Sequence, residues 1–402
     1  MNLSPSKPLR ILSLLNLDWN PHFGAARVYV ELIEQWRAHG HTVEHFSFSE
    51  AFPNRQVSPR EYAMRRLTFP KKAADFVKAN ANRFDVVDAL IGSLSTSKRN
   101  LGFGGLLVAR SVGSHRLYDQ FERSVDVRWP GHKIGTFAGK LFYSGLNRWY
   151  MAECDAALRH ADLVNVANIE EADFLRHNCR INRPVIVEAY GLTSENRDAL
   201  SSAGASPADK LKQKKVSFVG MWGPRKGARV WGEIIRRVRE RVPEAQFSFL
   251  GTMAAPEAVL KDLGEMSSRG VTSVPEYRPE QLPKLLSDCA VGAFPSYVEG
   301  FGLAVIEQLA AGIPTVAFDQ GGPRDILRET LPDLLIPVDD VKGLADALIR
   351  ILSLSLAEYE QLIQASVKIA SRYSWSDIAR DTVDKYSSAL APRDVATEAP
   401  AH

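Results

Sequence analysis

Two glutamates, Glu299 and Glu307, stand eight positions apart in the segment PSYVEGFGLAVIEQLAAGIPTVAFDQGG (295–322). Glu299 falls in a glycine-containing turn, and Glu307 falls inside an apolar helix pattern, where a carboxylate is costly without a partner. The amides of residues 301–303 open that helix, and unpaired N–H groups at a helix start favour an anion. An anion site between carboxylates suits a phosphorylated polyol, such as a sugar nucleotide. The alternative is that Glu307 pairs with a neighbouring Lys or Arg.

The bulk composition is that of a soluble globular protein with two domains. The chain has 402 residues, of which 45% are hydrophobic and 24% are charged, and one ordinary core does not extend over that length. A net charge of +3 is too mild to indicate a nucleic-acid partner, and no nucleic-acid-binding fold signature accompanies it. The three cysteines have neither metal-ligand spacing nor a disulfide framework, so we expect no metal site and a reducing compartment.

Location is predicted from two further features of the sequence. The first residues, MNLSPSKPLRILSLLNLDW, contain too short an apolar run for a signal peptide. No window approaches the roughly 18 consecutive apolar residues of a membrane-spanning helix. The expectation is therefore a cytoplasmic protein.

Short apolar runs alternate with segments of helical length, which indicates parallel βαβ units. The sequence predicts six strands in each half, at 10–17, 41–48, 84–90, 105–112, 162–168, 184–190, 215–222, 246–253, 271–277, 291–296, 314–319 and 334–339. The fold class is therefore α/β, with two Rossmann-like, doubly wound domains that face each other across a cleft. Ligands of such sheets bind at the carboxyl ends of the strands.

The domain boundaries follow from changes in composition. Residues 193–215 are polar and rich in Ser, Ala and Lys, which is typical of a linker. The predicted units are an N-terminal domain (1–192), this linker (193–215), a C-terminal domain (216–375), a last helix (376–390) with Ser376 as its N-cap, and a disordered tail (391–402).

The string EGFGLAVIE followed by AAGIPTVAFDQGG resembles the E-x7-E signature of retaining glycosyltransferases with the GT-B fold, glycosyltransferase family 4 in particular. The resemblance covers nearly the whole chain, because GLLVARSVGSH, HADLVNVANIEEADFL, VIVEAYGL, VSFVGMWGPRKGARVWGEII and YSWSDIARDTVDKY fall where the family has characteristic segments. It implies transfer of a sugar from a nucleoside-diphosphate sugar, with UDP- and GDP-sugars favoured. It also implies an acceptor site in the first domain, a donor site in the second, and a last helix that packs back on the first domain.

The resemblance assigns a role to each matching residue. Glu299 lies at the donor sugar and Lys226 faces the diphosphate, so both are expected to be catalytic. Glu307 is expected to bind the ribose hydroxyls. The other residues expected at the donor are Gly24, Arg225, Gly300, Phe301, Gly302 and Leu303. Tyr277 and Arg278 are expected at the nucleobase rim, where they stack on the base or cap the strand end.

Two positions depart from the family pattern. Met221 stands where an arginine faces the diphosphate, and Arg225 is the candidate replacement because a guanidinium grips phosphate bidentately. The alternative for Arg225 is a side chain that points to solvent. Val112 stands where many relatives have a histidine. His115, three residues further on, is the candidate catalytic histidine, and an ordinary loop histidine is the alternative.

The family mechanism needs no cofactor beyond the nucleotide sugar. The acceptor hydroxyl attacks the face from which the diphosphate leaves, and the diphosphate helps to take the proton. No Asp-x-Asp occurs in the sequence, which fits a metal-independent enzyme. The alternatives are a catalytically silent sugar-nucleotide-binding protein, and an epimerase or phosphorylase on the same fold. A dinucleotide-dependent dehydrogenase is disfavoured, because no G-x-G-x-x-G follows the first strand.

The acceptor is expected to be a saccharide or a lipid-linked saccharide. Residues 55–83 contain eight basic residues against two acidic ones, and residues 128–151 mix basic with aromatic side chains. Such patches can lie on the inner face of an anionic membrane. The alternative is a solvated helix face and an insertion in the acceptor loop.

Overall fold

Two parallel six-stranded β-sheets form the framework of the protein. The computed structural model describes residues 7–391 apart from 21–23, 55–56, 130–136 and 265–267. The first sheet has the order β2-β1-β3-β4-β5-β6. Its strands are β1 (Arg10–Leu14), β2 (Thr42–Phe46), β3 (Val86–Leu90), β4 (Leu106–Arg110), β5 (Leu163–Val166) and β6 (Val185–Val187).

The second sheet has the order β12-β11-β10-β7-β8-β9, which is the strand order of a dinucleotide-binding Rossmann sheet. Its strands are β7 (Lys215–Val219), β8 (Gln246–Leu250), β9 (Val271–Val274), β10 (Val291–Phe294), β11 (Thr315–Phe318) and β12 (Leu335–Ile336). All twelve predicted strands are confirmed, and each is shorter than the range predicted for it. Most strand residues are buried, as expected for parallel sheets covered by helices on both faces.

Helices connect the strands and cover both faces of each sheet. In the first half the described helices are α1 (Gly24–Ala38), α2 (Phe48–Ala51), α3 (Pro59–Ala79), α4 (Lys98–Leu101), α5 (His115–Arg128), α6 (Phe137–His160) and α7 (Ile169–His177). In the second half they are α8 (Ser194–Ser202), α9 (Pro207–Gln213), α10 (Trp231–Arg241), α11 (Pro256–Leu263), α12 (Leu282–Leu286), α13 (Leu303–Ala310), α14 (Gly321–Leu327), α15 (Val341–Leu352), α16 (Leu356–Ala370) and α17 (Trp375–Leu390).

The segment predicted as a polar linker, 193–215, is helical over most of its length. Thr193 and Ser206 cap the starts of α8 and α9 with their side chains. Leu200 is buried, and Lys210 Nζ donates 2.8 Å to the carbonyl oxygen of Ala311 at the end of α13. The two caps explain why a polar composition folds here into helices that pack on the second half.

The last helix, α17, packs on the first domain, as predicted. It begins at Trp375, and Ser374 caps it by accepting a hydrogen bond from the amide of Asp377. The expected cap at Ser376 is therefore wrong by two positions, because Ser374 is the residue with extended backbone before the first turn. Trp36 Nε1 of α1 donates 3.2 Å to the carbonyl oxygen of Ala379. The predicted disordered tail lies outside the described residues except for Ala391.

A buried polar cluster fixes α17 to the first sheet. The Arg110 guanidinium contacts the Asp88 carboxylate at 2.9 Å, and both side chains are buried. The Tyr386 hydroxyl of α17 donates 2.6 Å to Asp88 and accepts 2.8 Å from Arg110. Buried charges need such partners, so this cluster determines where the last helix lies. Within the described ranges, no helix is long and apolar enough to cross a membrane.

Candidate active site

A cavity of about 890 Å³ opens between the two sheets, at the carboxyl ends of their strands. Both domains contribute to its wall, as the sequence predicted for the cleft. Most of the predicted site residues line it: Gly24, His115, Arg225, Lys226, Tyr277, Arg278, Glu299, Phe301, Gly302, Leu303 and Glu307. Gly300 is the exception, because it is buried beside the cavity and packs against the first domain.

Glu299 lies between two cations. Lys226 Nζ donates to Glu299 Oε2, and Arg225 Nη1 lies 3.7 Å from the same oxygen. Burial raises the pKa of Glu299, but Lys226 and Arg225 outweigh it, so the pKa of this carboxyl lies below its usual value. Burial lowers the pKa of Lys226, and Glu299 opposes that effect. The cluster therefore holds one carboxylate against two positive charges.

Arg225 faces the cleft. Its guanidinium lies 4.5 Å from the centre of the Tyr118 ring, and Nη1 donates 2.9 Å to the carbonyl oxygen of Val298. Its side chain is 20% exposed, so the alternative of a solvent-facing arginine is wrong. Met221, at the position where the family has arginine, also lines the cavity, with 51% of its surface exposed.

Glu307 pairs with a cation from the other domain. Arg27 Nη1 of α1 donates 2.7 Å to Glu307 Oε1, and Arg27 Nε lies 3.8 Å from Glu31 Oε1. Glu307 thus has an arginine partner, but this partner comes from the facing domain and is not the neighbouring Lys or Arg of the alternative. The sequence reading did not single out Arg27. Its place three residues after Gly24, in the first turn of α1, was the signal available.

The start of α13 forms part of the cavity wall between the two glutamates. Gly302 is its N-cap, with φ of 90°, in the left-handed region that glycine adopts without strain. Leu303 and Ala304 follow and line the cavity. The first amides of a helix lack partners within the helix, and their positive dipole end favours an anion. The expectation that the start of α13 binds an anion is therefore based on its local backbone geometry.

The first domain contributes a wall of neutral polar groups and two arginines, Arg27 and Arg66. His115 Nε2 lies 2.9 Å from the Tyr150 hydroxyl, which also accepts a 3.4 Å hydrogen bond from Asn16 Nδ2. Burial, together with the nearby Arg66, lowers the pKa of His115 to about 4. His115 is therefore neutral near pH 7. Val112, the other departure from the family pattern, lies on the same wall.

The two domains touch directly beside the Glu299 turn. A side-chain carbon added at Gly300 would lie 2.5 Å from the carbonyl oxygen of Val112, so only glycine fits this approach. Asn168, the N-cap of α7, donates 2.6 Å from Nδ2 to the carbonyl oxygen of Gly300. Asp325 of α14 accepts 2.8 Å from the amide of Ile169. The sequence reading did not anticipate these contacts, because their partners are far apart in the chain.

Glu171 supports this contact from the interior. It is 1% exposed, and its Oε1 accepts 2.6 Å from Ser111 Oγ, which in turn accepts 3.2 Å from the amide of Gly113. Oε2 has no hydrogen-bond partner among the described residues. Burial raises the pKa of Glu171 to about 7, although the Ser111 hydrogen bond opposes the shift.

Tyr277 and Arg278 lie at the rim of the cavity, near Glu307. The Tyr277 ring packs against Gly251, and burial, followed by Glu307, raises the pKa of its hydroxyl. The Arg278 amide donates 2.8 Å to Gln281 Oε1, and its side chain is exposed. In the described part of the chain, no group of three or more His, Cys, Asp or Glu side chains could hold a metal ion.

The second half of the chain matches a known protein family. Residues 213–354 match the family model described as "Glycosyl transferases group 1". A D-inositol 3-phosphate glycosyltransferase from Corynebacterium urealyticum is 30% identical over 239 residues, which are 56% of this chain and 54% of that protein. Its counterpart from Nocardia farcinica is 27% identical over 248 residues, or 55% of this chain and 54% of that protein. The chain thus spans about half the length of the curated relatives it matches.

Solved structures extend the similarity to both domains. Sucrose-phosphate synthase from Thermosynechococcus elongatus superposes with a TM-score of 0.71 and 18% identity, covering 94% of this chain and 98% of that one. The Anabaena protein HepE, solved in complex with UDP and glucose, gives a TM-score of 0.63 and 16% identity over 94% and 100% of the two chains. At these identities the superpositions establish the fold alone.

Proposed function

We propose that this chain, whose residues 213–354 match the group 1 glycosyltransferases and whose fold is GT-B, transfers a sugar from a nucleoside-diphosphate sugar to an acceptor hydroxyl with retention of configuration. The observation that carries the proposal is the arrangement of the two glutamates on one cavity wall. Glu299 is held by Lys226 and Arg225, Glu307 is held by Arg27, and the start of α13 lies between them.

This wall suits the parts of a sugar nucleotide. Glu307 Oε2 makes no hydrogen bond with a described residue and can accept from ribose hydroxyls. The amides at the start of α13 and the cations at 225 and 226 suit the diphosphate. Glu299 suits the sugar hydroxyls, and Tyr277 offers an aromatic face near Glu307 for the base. UDP is the favoured nucleotide, since HepE was solved with UDP and with UDP-glucose.

The chemistry proposed here uses charge rather than a protein nucleophile. The acceptor oxygen forms a bond to the anomeric carbon on the face from which the diphosphate leaves. The bond between that carbon and the diphosphate oxygen breaks, its electron pair stays on the diphosphate, and the acceptor proton passes to a diphosphate oxygen. Lys226 Nζ and the amides at the start of α13 stabilise the charge that develops there. The reaction is proposed to need neither a metal nor a further cofactor.

Donor binding and turnover test this proposal in two steps. A thermal-shift screen with UDP, GDP, ADP and dTDP identifies the base, because a ligand that binds the native state raises its melting temperature. Incubation with the matching nucleotide sugars and an acceptor panel is then followed by release of free nucleoside diphosphate. The expected result is a shift with UDP or GDP and diphosphate release that depends on acceptor. A protein stabilised by none of the four nucleotides would contradict the proposal.

A second candidate is a catalytically silent protein that binds a sugar nucleotide. Met221 favours it, since an exposed thioether lines the cavity where the family has a cation. The variant Met221→Arg separates the two candidates. If the wild type binds donor without turnover and Met221→Arg gains activity, the chain is silent. If the wild type turns over, Arg225 is the proposed replacement cation.

The acceptor and the location are also proposals. We propose a saccharide or lipid-linked acceptor and a cytoplasmic protein, which the three unpaired cysteines support. Peripheral contact with an anionic membrane is proposed through the exposed lysines of α3, Lys71, Lys72 and Lys78. Cosedimentation with vesicles that contain or lack phosphatidylinositol tests this contact. Part of each basic segment, 55–56 and 130–136, lies outside the described residues.

A further inference from the structure

We infer that the acceptor carries an anionic group, a phosphate or a carboxylate, and that Arg66 on the first-domain wall of the cavity binds it. The inference rests on the proposed transferase function, since it concerns the second substrate of the same cavity. Nothing in the sequence assigned this role to Arg66, which counted only as one of the basic residues between 55 and 83.

Arg66 is a cation that faces the cavity without a protein counter-ion. It belongs to α3 and lines the cavity, and its guanidinium lies 5.8 Å from the centre of the Tyr150 ring. Among the residues that the structure describes, none forms a hydrogen bond with its side chain or a carboxylate contact within 4.0 Å. An arginine that is half-buried gains most from an anionic partner. The cavity is the place from which such a partner can come.

The other cations of the cavity differ from Arg66 in this respect. Arg27 is paired with Glu307, and Arg225 and Lys226 are paired with Glu299. Arg278 is exposed at the rim rather than within the cavity. Arg66 is thus the cation inside the cavity that has no carboxylate partner among the described residues.

The charge of the two walls indicates which substrate Arg66 meets. The carboxylates that line the cavity, Glu276, Glu299 and Glu307, all belong to the second domain. The described residues of the first-domain wall include Arg27 and Arg66 but no Asp or Glu. Since the donor proposal uses the second-domain wall, a ligand on Arg66 occupies the acceptor side.

Neutral hydrogen-bonding groups surround this arginine. Tyr150, His115 and Asn16 form a hydrogen-bonded chain on the same wall. Because the pKa of His115 is lowered to about 4, it contributes no charge near pH 7. A planar guanidinium beside neutral donors and acceptors fits an oxyanion attached to a polyol. Arg66 binds the anion, and the neutral groups remain for hydroxyls.

Anion binding to the UDP-loaded protein tests the inference. With UDP at saturation, inorganic phosphate is titrated and followed by calorimetry in the wild type, Arg66→Gln and Arg66→Lys. Arg60→Gln is the matched control, because Arg60 is exposed on the same helix and does not line the cavity. Loss of a charge-assisted contact predicts at least about tenfold weaker phosphate binding in Arg66→Gln. Arg66→Lys should keep part of the affinity, and Arg60→Gln all of it.

Two results would overturn the inference: no phosphate binding to the UDP-loaded wild type, or equal binding by Arg66→Gln. UDP affinity is measured in the same samples. If UDP binds equally to all variants while phosphate does not bind, the anionic acceptor fails and the donor proposal stands. If UDP does not bind the wild type, the proposed function itself fails.

The source of the anion is resolved by two further arms. In one, glucose 6-phosphate competes with phosphate and glucose is the neutral control. In the other, vesicles with phosphatidylinositol are compared with phosphatidylcholine vesicles. Competition by glucose 6-phosphate that is lost in Arg66→Gln supports a soluble acceptor, and vesicle binding that is lost in the same variant supports a lipid-linked one. If glucose competes as well as glucose 6-phosphate, the requirement for an anion is contradicted.

Discussion

Arg27 Nη1 donates a 2.7 Å hydrogen bond to Glu307 Oε1 across the cleft, although 280 positions separate the two residues in the sequence. Arg27 lies in the first turn of α1 in the first domain, and Glu307 lies in the second turn of α13 in the facing domain. A ligand on Glu307 must share this carboxylate with Arg27. In the proposed function, where Glu307 binds the nucleotide, this pair would link nucleotide binding to the distance between the domains.

Replacement of Glu307 should weaken nucleotide binding. In Glu307→Ala we expect UDP affinity to fall by about tenfold to a hundredfold, the range for loss of hydrogen bonds to a charged group. Titration calorimetry with UDP measures this affinity, and Glu240→Ala is the control, because Glu240 is exposed on α10 and does not line the cavity. An unchanged UDP affinity in folded Glu307→Ala would remove the ribose assignment.

Replacement of Lys226 should act mainly on turnover. The Lys226 ammonium faces Glu299 in the buried cluster, and in the proposed reaction it stabilises the leaving diphosphate. Loss of such a group predicts a fall in kcat of about 10²–10³-fold. Kinetics of Lys226→Ala and Lys226→Arg test this, with the exposed Lys284→Ala as control. If Lys226→Ala folds and keeps its kcat, the assignment of this lysine to the diphosphate is wrong.

Gly300 should not tolerate a side chain. A Cβ there would lie 2.5 Å from the carbonyl oxygen of Val112 and 3.1 Å from Gly113 Cα, which are backbone atoms of the other domain. Gly300→Ala should separate the domains beside Glu299 and lower kcat by at least about tenfold, because small displacements in a site are costly. Gly223→Ala is the matched control, since a Cβ at Gly223 meets nothing within 4 Å. Equal activity of the two variants would show that the contact between Gly300 and Val112 accommodates a methyl group without loss of activity.

Glu171 should make stability depend on pH. Its pKa in the folded protein is about 7, above the ordinary value of 4.5, so the folded state binds more protons than the unfolded state between these values. The stability it contributes is fully present below pH 4.5 and is lost as the pH rises through 7. Glu171→Gln should flatten the curve by up to about 1.4 kcal/mol per pH unit in that window.

The measurement for Glu171 is denaturant unfolding at pH 5, 6, 7 and 8. Glu171→Gln should be more stable than the wild type at pH 8, because the buried amide needs no charge and still accepts from Ser111. The gap should close towards pH 5. Parallel curves for both proteins would contradict the raised pKa.

Local patterns in the sequence predicted most of the framework. The strands were found because parallel strands read as short apolar runs, and Glu299, Gly302 and Glu307 were found because their motif is contiguous. The exact start of a helix depends on its cap, and Ser374 rather than Ser376 is the N-cap of the last helix. The alternation of apolar runs along the sequence does not predict individual capping hydrogen bonds of this kind.

The contacts across the cleft could not be predicted in the same way. Asn168 bonds to Gly300 over 132 positions, and Arg27 bonds to Glu307 over 280. Composition and periodicity describe neighbours along the chain, whereas these pairs depend on how two separately folded sheets dock. Arg66 had no distinguishing signal, because a basic run on a helix is usually solvated.

The attachment of α17 to the first sheet constrains how this protein can be recombined. Tyr386 and Ala379 contribute to the interior of the first domain through Asp88 and Trp36, although 298 and 343 positions separate them from these partners in the sequence. A chimera that exchanges the donor-side half should therefore take a relative's residues from the α8 region up to Tyr373 and keep the native α17. A simple exchange of carboxy-terminal halves would leave Asp88 and Arg110 facing a foreign helix.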